Sequence, residues 1–410
     1  MISYNRSKII LKRSKIKLND EIVNTNYCLN RVTAKNIYVN ENYPLGNNAA
    51  FDGFAIKSSD TYKINKRLKK KFKIIGSIAA GDKPLKKKIQ KFQTAEIMTG
   101  ALIPKAFDAV IPIEQVIFYS NKKNQKYIMI DKKIKKKQNI RFKGSDYKKN
   151  DLLFRKGTII EPKHILALKS LGIKKIKVKK IPKILFFSTG NEISNLKKIP
   201  DWKVRNSNSY YIKSKENNFL FNFLNGGILR DDDEKIFFKK IKKMFNSNID
   251  VIITSGAVSA GKFDFVPKVV KKFKLSNYFK GVAMRPGKPI LFAKFKRKQK
   301  AIFGLPGNPI SSAACFRFFV YPYLRSVLGV ENEKPIKGIL KNNFSKKTNF
   351  TRFVKSKINT TKNGRVEVVI LKGQESFRIQ SFLKANIWTV LPSGKSNFKK
   401  NEIVDCFNQN

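Results

Sequence analysis

From residue 183 onward the apolar residues come in short bursts, each broken by glycine, serine or an acid: KILFFSTG, GILRDDD, VIITSGAVSAG and AIFGLPGNP. A short β-branched or aromatic burst closed by small residues predicts a buried strand that ends in a turn. Between the bursts, SNSYYIKSKENNFLFNFLNGG, FFKKIKKMF and SSAACFRFFVYPYLRSVLG space their apolar positions at helical intervals. The first of these helices is expected to end at its Gly pair. Strands alternating with helices predict a three-layer α/β domain with a mostly parallel sheet. In such a sheet the carboxyl ends of the strands lie along one edge, where open α/β sheets bind ligands. Thr189, Gly190 and Glu192, then Asp231 and Asp232, then Ser255, Gly256 and Asp264 are thereby predicted to be neighbours.

The rest of the chain follows other rhythms. Residues 46–148 read as a β-rich insertion built on FKIIGSIAAGDKP, VIPIEQVIFY and KYIMID, with Gly and Pro turns between them. It is enclosed by an extended N-terminal part, 1–45 with 149–180, which includes the amphipathic helix HILALKSLG. The α/β domain is expected over 181–330. KPIKGIL reads as a linker, and 331–410 as a small β domain of hairpin-like strands. The fold class is therefore multidomain, α/β plus β.

Composition narrows the function classes. Hydrophobic residues are 41% of the 410, enough for packed cores despite the charge. No apolar run approaches the roughly 20 residues of a membrane span, and the N-terminus lacks the pattern of a signal peptide, so a cytoplasmic protein with no membrane partner is expected. Cys28, Cys315 and Cys406 are too scattered for a disulfide framework or zinc site. His164 is the only histidine, which excludes multi-histidine metal centres. The net charge of +59 invites a nucleic-acid reading, yet the lysines are spread over nearly every surface segment and thin out in the small-residue loops. A dedicated nucleic-acid groove would concentrate them, so none is expected.

Chemistry must then rest on carboxylates, hydroxyls, backbone amides and cations. The loop after VIITSG is either a tight turn or a cradle whose bare backbone approaches a ligand. Glu192 in STGNEI and Asp231 in RDDDE either cap turns and helices or, with Asp264, offset their mutual repulsion with a hydrated Mg²⁺. AMRPGKP presents Arg285 and Lys288 on a fixed turn, suited to solvent or to an oxyanion. GLPGNPISSAA sets Gly307, Asn308 and Ser311 before a helix, as a cap or as an anion site. AAFDGFA, EIMTGALIP and KGSDY contribute Asp52, Thr99 and Asp146.

Taken in order, FDGFA, MTGALIP, KGSD, STGNEI, TSGAVSAGKFD, MRPGKP and LPGNP resemble the molybdopterin molybdenumtransferase family, the MoeA and gephyrin E-domain proteins. ANIWTVLPSG resembles the family's C-terminal domain. The resemblance implies four domains, with an α/β domain like that of the molybdopterin adenylyltransferases and a C-terminal β-barrel-like domain. It also implies an elongated homodimer with the active site between the α/β domain of one subunit and the inserted domain of the other. The implied reaction inserts molybdate into adenylylated molybdopterin with Mg²⁺-dependent loss of AMP. By the same resemblance, Asp52, Thr99 and Asp146 face Glu192, Asp231 and Asp264. Ser255, Gly256, Ser259, Arg285, Lys288, Gly307, Asn308 and Ser311 hold phosphate or molybdate oxygens, and the three α/β carboxylates hold the metal. Other proteins of molybdenum cofactor biosynthesis are implied partners. A molybdopterin-binding scaffold without catalysis is the alternative, and RNA binding a remoter one. The chain departs from the family pattern at Phe51 and Phe54, where Met and Tyr are usual, at Ala257, where a second Gly is common, and at Arg285, in place of Lys.

Overall fold

A computed structural model describes residues 1–410 apart from 86, 119–125, 217–220, 260–263 and 410. Parts of three expected segments lie outside the described residues: Tyr119 of VIPIEQVIFY, residues 217–220 of the first α/β helix, and residues 260–263 of the loop that leads to Asp264. The chain divides into two compact units, one formed by Asn36–Arg155 with Pro162–Lys175, the other by Met1–Lys35, Lys156–Glu161 and Ile176–Asn410.

In the first unit, strands β1 (Gly53–Ile56), β2 (Lys70–Ile78), β3 (Gln93–Ile97), β4 (Ala109–Pro112), β5 (Ile117–Phe118) and β6 (Tyr127–Ile130) form one sheet in the order β4-β1-β3-β2-β6-β5. Its two faces bury separate apolar clusters, one around Ala55, Ile97 and Val110, the other around Phe54, Phe72 and Ile111. Alternate residues of β1 and β4 therefore go to opposite cores, as the two-residue period of a strand requires.

The second unit holds the α/β sheet. Its strands are β7 (Lys183–Thr189), β8 (Asn222–Leu229), β9 (Val251–Ser255), β10 (Leu275–Lys280), β11 (Leu291–Phe295) and β12 (Ala301–Leu305), in the order β8-β7-β9-β12-β11-β10. The first four in that order run parallel; β11 is antiparallel to both of its neighbours, β12 and β10, so it alone is reversed. All five residues of β9 are buried, because a central parallel strand is covered on both faces and reads as a continuous apolar run. The helix Glu234–Met244 turns Phe237, Ile241 and Met244 into the core, the spacing of one helical face.

Two expectations are corrected here. The helix expected to reach the Gly pair stops at Ser214, and Asn222–Leu229 is the strand β8. The Gly pair marks an irregularity in that strand, since pairing with β7 shifts register between Phe186 and Ser188. Gly226 lies against the Phe187 ring, where a Cβ would stand 2.3 Å from Cε1, and Gly227 has φ +89°. Close approach and left-handed backbone both demand glycine. The segment read as a linker is also a strand, β13 (Ile336–Leu340). With β14 (Thr351–Thr360), β15 (Val366–Ile370), β16 (Ile387–Leu391) and β17 (Ile403–Asn408) it closes a ring of pairings, β14-β15-β13-β17-β16 and back to β14. The result is a five-stranded barrel. Met284–Arg285, in the loop between β10 and β11, pairs with β14, tying the barrel to the α/β sheet.

Candidate active site

The carboxyl ends of β7, β9 and β12 and the loop after β8 surround a pocket of about 460 Å³. Its lining comprises Thr189, Gly190, Glu192, Asp231, Gly256, Ala257, Val258, Ser259, Asp264, Pro289, Pro306, Gly307 and Asn308. Nine residues predicted to lie at the site are thus in one place: Thr189, Gly190, Glu192, Asp231, Gly256, Ser259, Asp264, Gly307 and Asn308.

Local structure explains how each is presented. Thr189 Oγ1 donates to the Ser255 carbonyl at 3.0 Å, and the Gly256 amide donates to the Leu305 carbonyl at 2.8 Å. These bonds close the strand ends against one another. Gly256 has φ +105°, and a Cβ there would stand 2.4 Å from the Thr189 carbonyl oxygen, so the floor admits only glycine. Ala257 follows with φ +53°, the left-handed conformation that costs an L-residue about 1–2 kcal/mol. The Glu192 carboxylate folds back over Gly190, whose position for a Cβ is 2.2 Å from Oε2.

The acidic run RDDDE divides its labour. Asp233 stands at the N-cap position of the helix Glu234–Met244, but its Oδ2 accepts from the Arg230 amide at 2.7 Å and from no amide of the helix, so its carboxylate closes the preceding turn. Asp231 lines the pocket, and its amide donates to Asn191 Oδ1 at 3.2 Å. Asn191 is therefore the link between the β7 and β8 loops.

Other predicted residues stand elsewhere. Ser255 is buried; its hydroxyl accepts from Asn208 Nδ2 at 2.6 Å and donates to the Pro306 carbonyl at 3.2 Å. It braces the site from beneath. Ser311 is buried in the first turn of the helix Pro309–Cys315 and is not among the lining residues. Arg285 and Lys288 are exposed and also outside the lining. Arg285 lies over the Phe350 ring of the barrel, 5.0 Å from its centroid. Nearby Arg352 has its Nε buried without a hydrogen-bond partner, and burial, then the charge of Arg285, lowers its pKa. In the other unit, the Thr99 amide and hydroxyl both donate to Asp52 Oδ1, at 2.6 and 2.7 Å. The backbone bond first, then the hydroxyl, holds the Asp52 carboxyl below its usual range. Asp146 is exposed, with its amide donating to the Tyr43 carbonyl at 3.1 Å.

Four residues escaped the sequence reading. Asn208 Nδ2 donates to the Gly307 carbonyl at 2.8 Å as well as to Ser255. Arg230 Nη1 donates to the carbonyls of Gly190, Asn191 and Ile193 at 3.3, 3.2 and 3.0 Å, clamping the loop that carries Glu192. Ser376 Oγ accepts from Asn308 Nδ2 at 3.1 Å. Arg352 is the fourth. NSN before a helix was the available signal for Asn208; the partners of the others are too distant in sequence to be read.

The donor set of the pocket is oxygen only, which suits a hard cation such as Mg²⁺. Among the described residues no three Asp, Glu, His or Cys side chains stand close enough to hold a metal by themselves. Mg²⁺ ordinarily keeps waters and takes substrate phosphates besides one or two carboxylates, so the set fits a metal that arrives with its substrate.

Three family models match the chain. The MoeA N-terminal region, domains I and II, covers residues 3–172, a probable molybdopterin-binding domain covers 186–326, and the MoeA C-terminal region, domain IV, covers 337–407. A molybdopterin molybdenumtransferase of Staphylococcus aureus is 33% identical over 384 residues, 92% of this chain and 88% of that one. One of Staphylococcus epidermidis is 32% identical over 389 residues, 93% and 90%. The crystal structure of the molybdopterin biosynthesis MoeA protein from Pyrococcus horikoshii superposes with a TM-score of 0.83 at 26% identity, covering 99% of both chains.

Proposed function

The chain belongs to the molybdopterin molybdenumtransferase family and is an enzyme of molybdenum cofactor biosynthesis; within that role we propose that it inserts molybdate into adenylylated molybdopterin, with Mg²⁺-dependent release of AMP. The observation that carries this reading is the pocket itself, in which Glu192, Asp231 and Asp264 meet the bare backbone of Gly256–Ser259 and the turn Pro306–Asn308. Backbone amides and Ser259 bind the phosphate oxygens, and Asn308 orients them. Glu192, Asp231 and Asp264 would hold Mg²⁺ only together with waters and substrate phosphates, one or two of the carboxylates at a time; the metal would supply charge neutralisation of the diphosphate. Arg285 and Lys288, joined by the unpartnered Nε of Arg352, suit a tetrahedral oxyanion such as molybdate. Ser255 and Ser311 act by bracing the strand end and helix start. Asp52, Thr99 and Asp146 serve the same reaction as charged and hydroxyl groups of the inserted module.

A cytoplasmic homodimer that works alongside other proteins of cofactor biosynthesis completes the proposal. No helix among the described residues is long and apolar enough to cross a membrane. The test combines purified protein, adenylylated molybdopterin, molybdate and Mg²⁺, and follows AMP by chromatography. AMP release that needs both molybdate and Mg²⁺, and that Glu192→Gln abolishes with the fold intact, is the expected result. Tight pterin binding without any AMP would reject the reaction and leave a scaffold. Light scattering checks the dimer.

A further inference from the structure

Lys355 lies on β14 with only 1% of its surface exposed. A buried ammonium is costly unless every hydrogen finds an acceptor. Here Nζ donates to the carbonyls of Gly373, Glu375 and Arg378, at 2.7, 3.1 and 3.3 Å. All three acceptors belong to one loop. Gln374, in the same loop, clasps β14 on both sides: its Oε1 accepts from the Lys355 amide at 2.9 Å and its Nε2 donates to the Lys355 carbonyl at 2.8 Å. Ser381 Oγ also donates to the Gly373 and Arg378 carbonyls, at 2.5 and 3.1 Å; toward the pocket, Ser376 Oγ accepts from Asn308 Nδ2, and Asn308 lines the α/β pocket.

We propose that Lys355 is a positioning residue, whose ammonium gathers three carbonyls of the 373–378 loop and so holds Ser376 against Asn308 at the pocket wall. The proposal rests on the reading of that pocket as the site of molybdate insertion. Charge state matters because an ammonium offers three donors and the neutral amine two. Without its proton Lys355 gives up one of its three bonds to the loop, whose carbonyls keep only their second donors, Ser381 Oγ for Gly373 and Arg378 and the Arg378 amide for Glu375. Burial pushes the Lys355 pKa down to about 8; Glu375 opposes the shift, while Arg352 on the same strand and Arg378 in the loop assist it.

The sign of the linkage separates positioning from stability. The folded value lies below the usual 10.5, so between about 8 and 10.5 the unfolded chain binds more protons and this group's contribution to stability rises with pH. Positioning fails over the same window. Activity and stability should therefore move in opposite directions.

The experiment measures kcat for AMP release and the melting temperature between pH 6.5 and 9.5 for the wild type, Lys355→Arg and Lys355→Met. With a pKa near 8 the protonated fraction falls about tenfold from pH 7 to 9, and wild-type kcat should fall about tenfold while the melting temperature does not. Lys355→Arg stays charged and should lack this alkaline fall; Lys355→Met should be slow at every pH, also without it. An unchanged alkaline fall in the Arg variant, or full kcat in the Met variant, overturns the proposal. Should the Arg variant not fold, the Met variant alone decides. If the wild type releases no AMP at any pH, it is the reaction that has failed. The positioning role is then read from amide exchange of residues 373–378, corrected for intrinsic rate. Exchange should accelerate above pH 8 in the wild type and not in the Arg variant; equal acceleration in both overturns it.

Discussion

Gly256→Ala tests the floor of the pocket with a single methyl group. The new Cβ would stand 2.4 Å from the Thr189 carbonyl oxygen and 2.5 Å from its Oγ1. Ordinary contact needs roughly 3.4 Å, so the ends of β7 and β9 must separate by about 1 Å, against a close-packed interior. Overpacking of this kind costs about 1–3 kcal/mol. The φ of +105° adds about 1–3 kcal/mol for a residue with a side chain, and reduced freedom of the unfolded chain returns about 0.4–1 kcal/mol. The net is a loss of about 2–5 kcal/mol. At about 2–4 °C per kcal/mol for a unit of this size, the melting temperature should drop by about 4–20 °C. Turnover should drop more than tenfold at temperatures where the variant is still folded, because Thr189 and Gly190 carry the loop of Glu192. Thermal melts and AMP release measure both. A variant that melts within 2 °C of the wild type with unchanged turnover would refute the reasoning.

The acidic run offers a paired test. Asp231→Asn should cut turnover at least about 100-fold without lowering the melting temperature, since one less carboxylate relieves repulsion; Asp233→Ala should cost about 0.5–1.5 kcal/mol by removing the turn bond from the Arg230 amide and leave most of the turnover. The reverse pattern in melts and kinetics would exchange their roles. In the inserted module, Thr99→Val removes the hydroxyl bond to Asp52 and keeps the amide bond, so the carboxyl should titrate at a higher pH than in the wild type. A depressed carboxyl contributes its stabilisation above the unfolded value and loses it as pH falls through the folded one. The acid limb of activity should accordingly move to higher pH in the variant, and carboxyl NMR of Asp52 that shows no change would count against the hydroxyl's part.

The α/β layer was legible because its strands obey a simple rule: an apolar burst closed by small residues. β7, β9 and β12 all follow it, and their ends bring Glu192, Gly256, Ser259 and Asn308 together. β8 follows the rule only at its end, where GIL reads as a strand; the part before it reads as a helix end, because the reason for the central glycines, the face of Phe187, is a residue from another strand. KPIKGIL failed differently. Its position after a helix suggested a connector, while its pairing partners, β15 and β17, lie far along the chain. Arg352 and Ser376 shared that difficulty: each becomes part of the site only because Met284–Arg285 and Asn308 dock on the barrel. The sequence did expose Ala257 as an unusual residue for its motif, and its left-handed backbone is the physical reason such a position favours glycine.

Electrostatics explains why the charge of the chain and the charge of the pocket differ. A net charge of +59 draws anions toward the molecule as a whole, yet among the described residues that line the pocket none is Lys or Arg and three are carboxylates. At an effective dielectric near 20, a phosphate oxygen about 4 Å from a carboxylate meets roughly 4 kcal/mol of repulsion. Three such groups would expel a diphosphate unless positive charge came between. Arg285 and Lys288 are not in the lining, and Arg230 is committed to three backbone carbonyls. This lining supports the proposed dependence on Mg²⁺: under that proposal a basic exterior concentrates the substrate, and a cation entering with the anion offsets the carboxylates of the pocket.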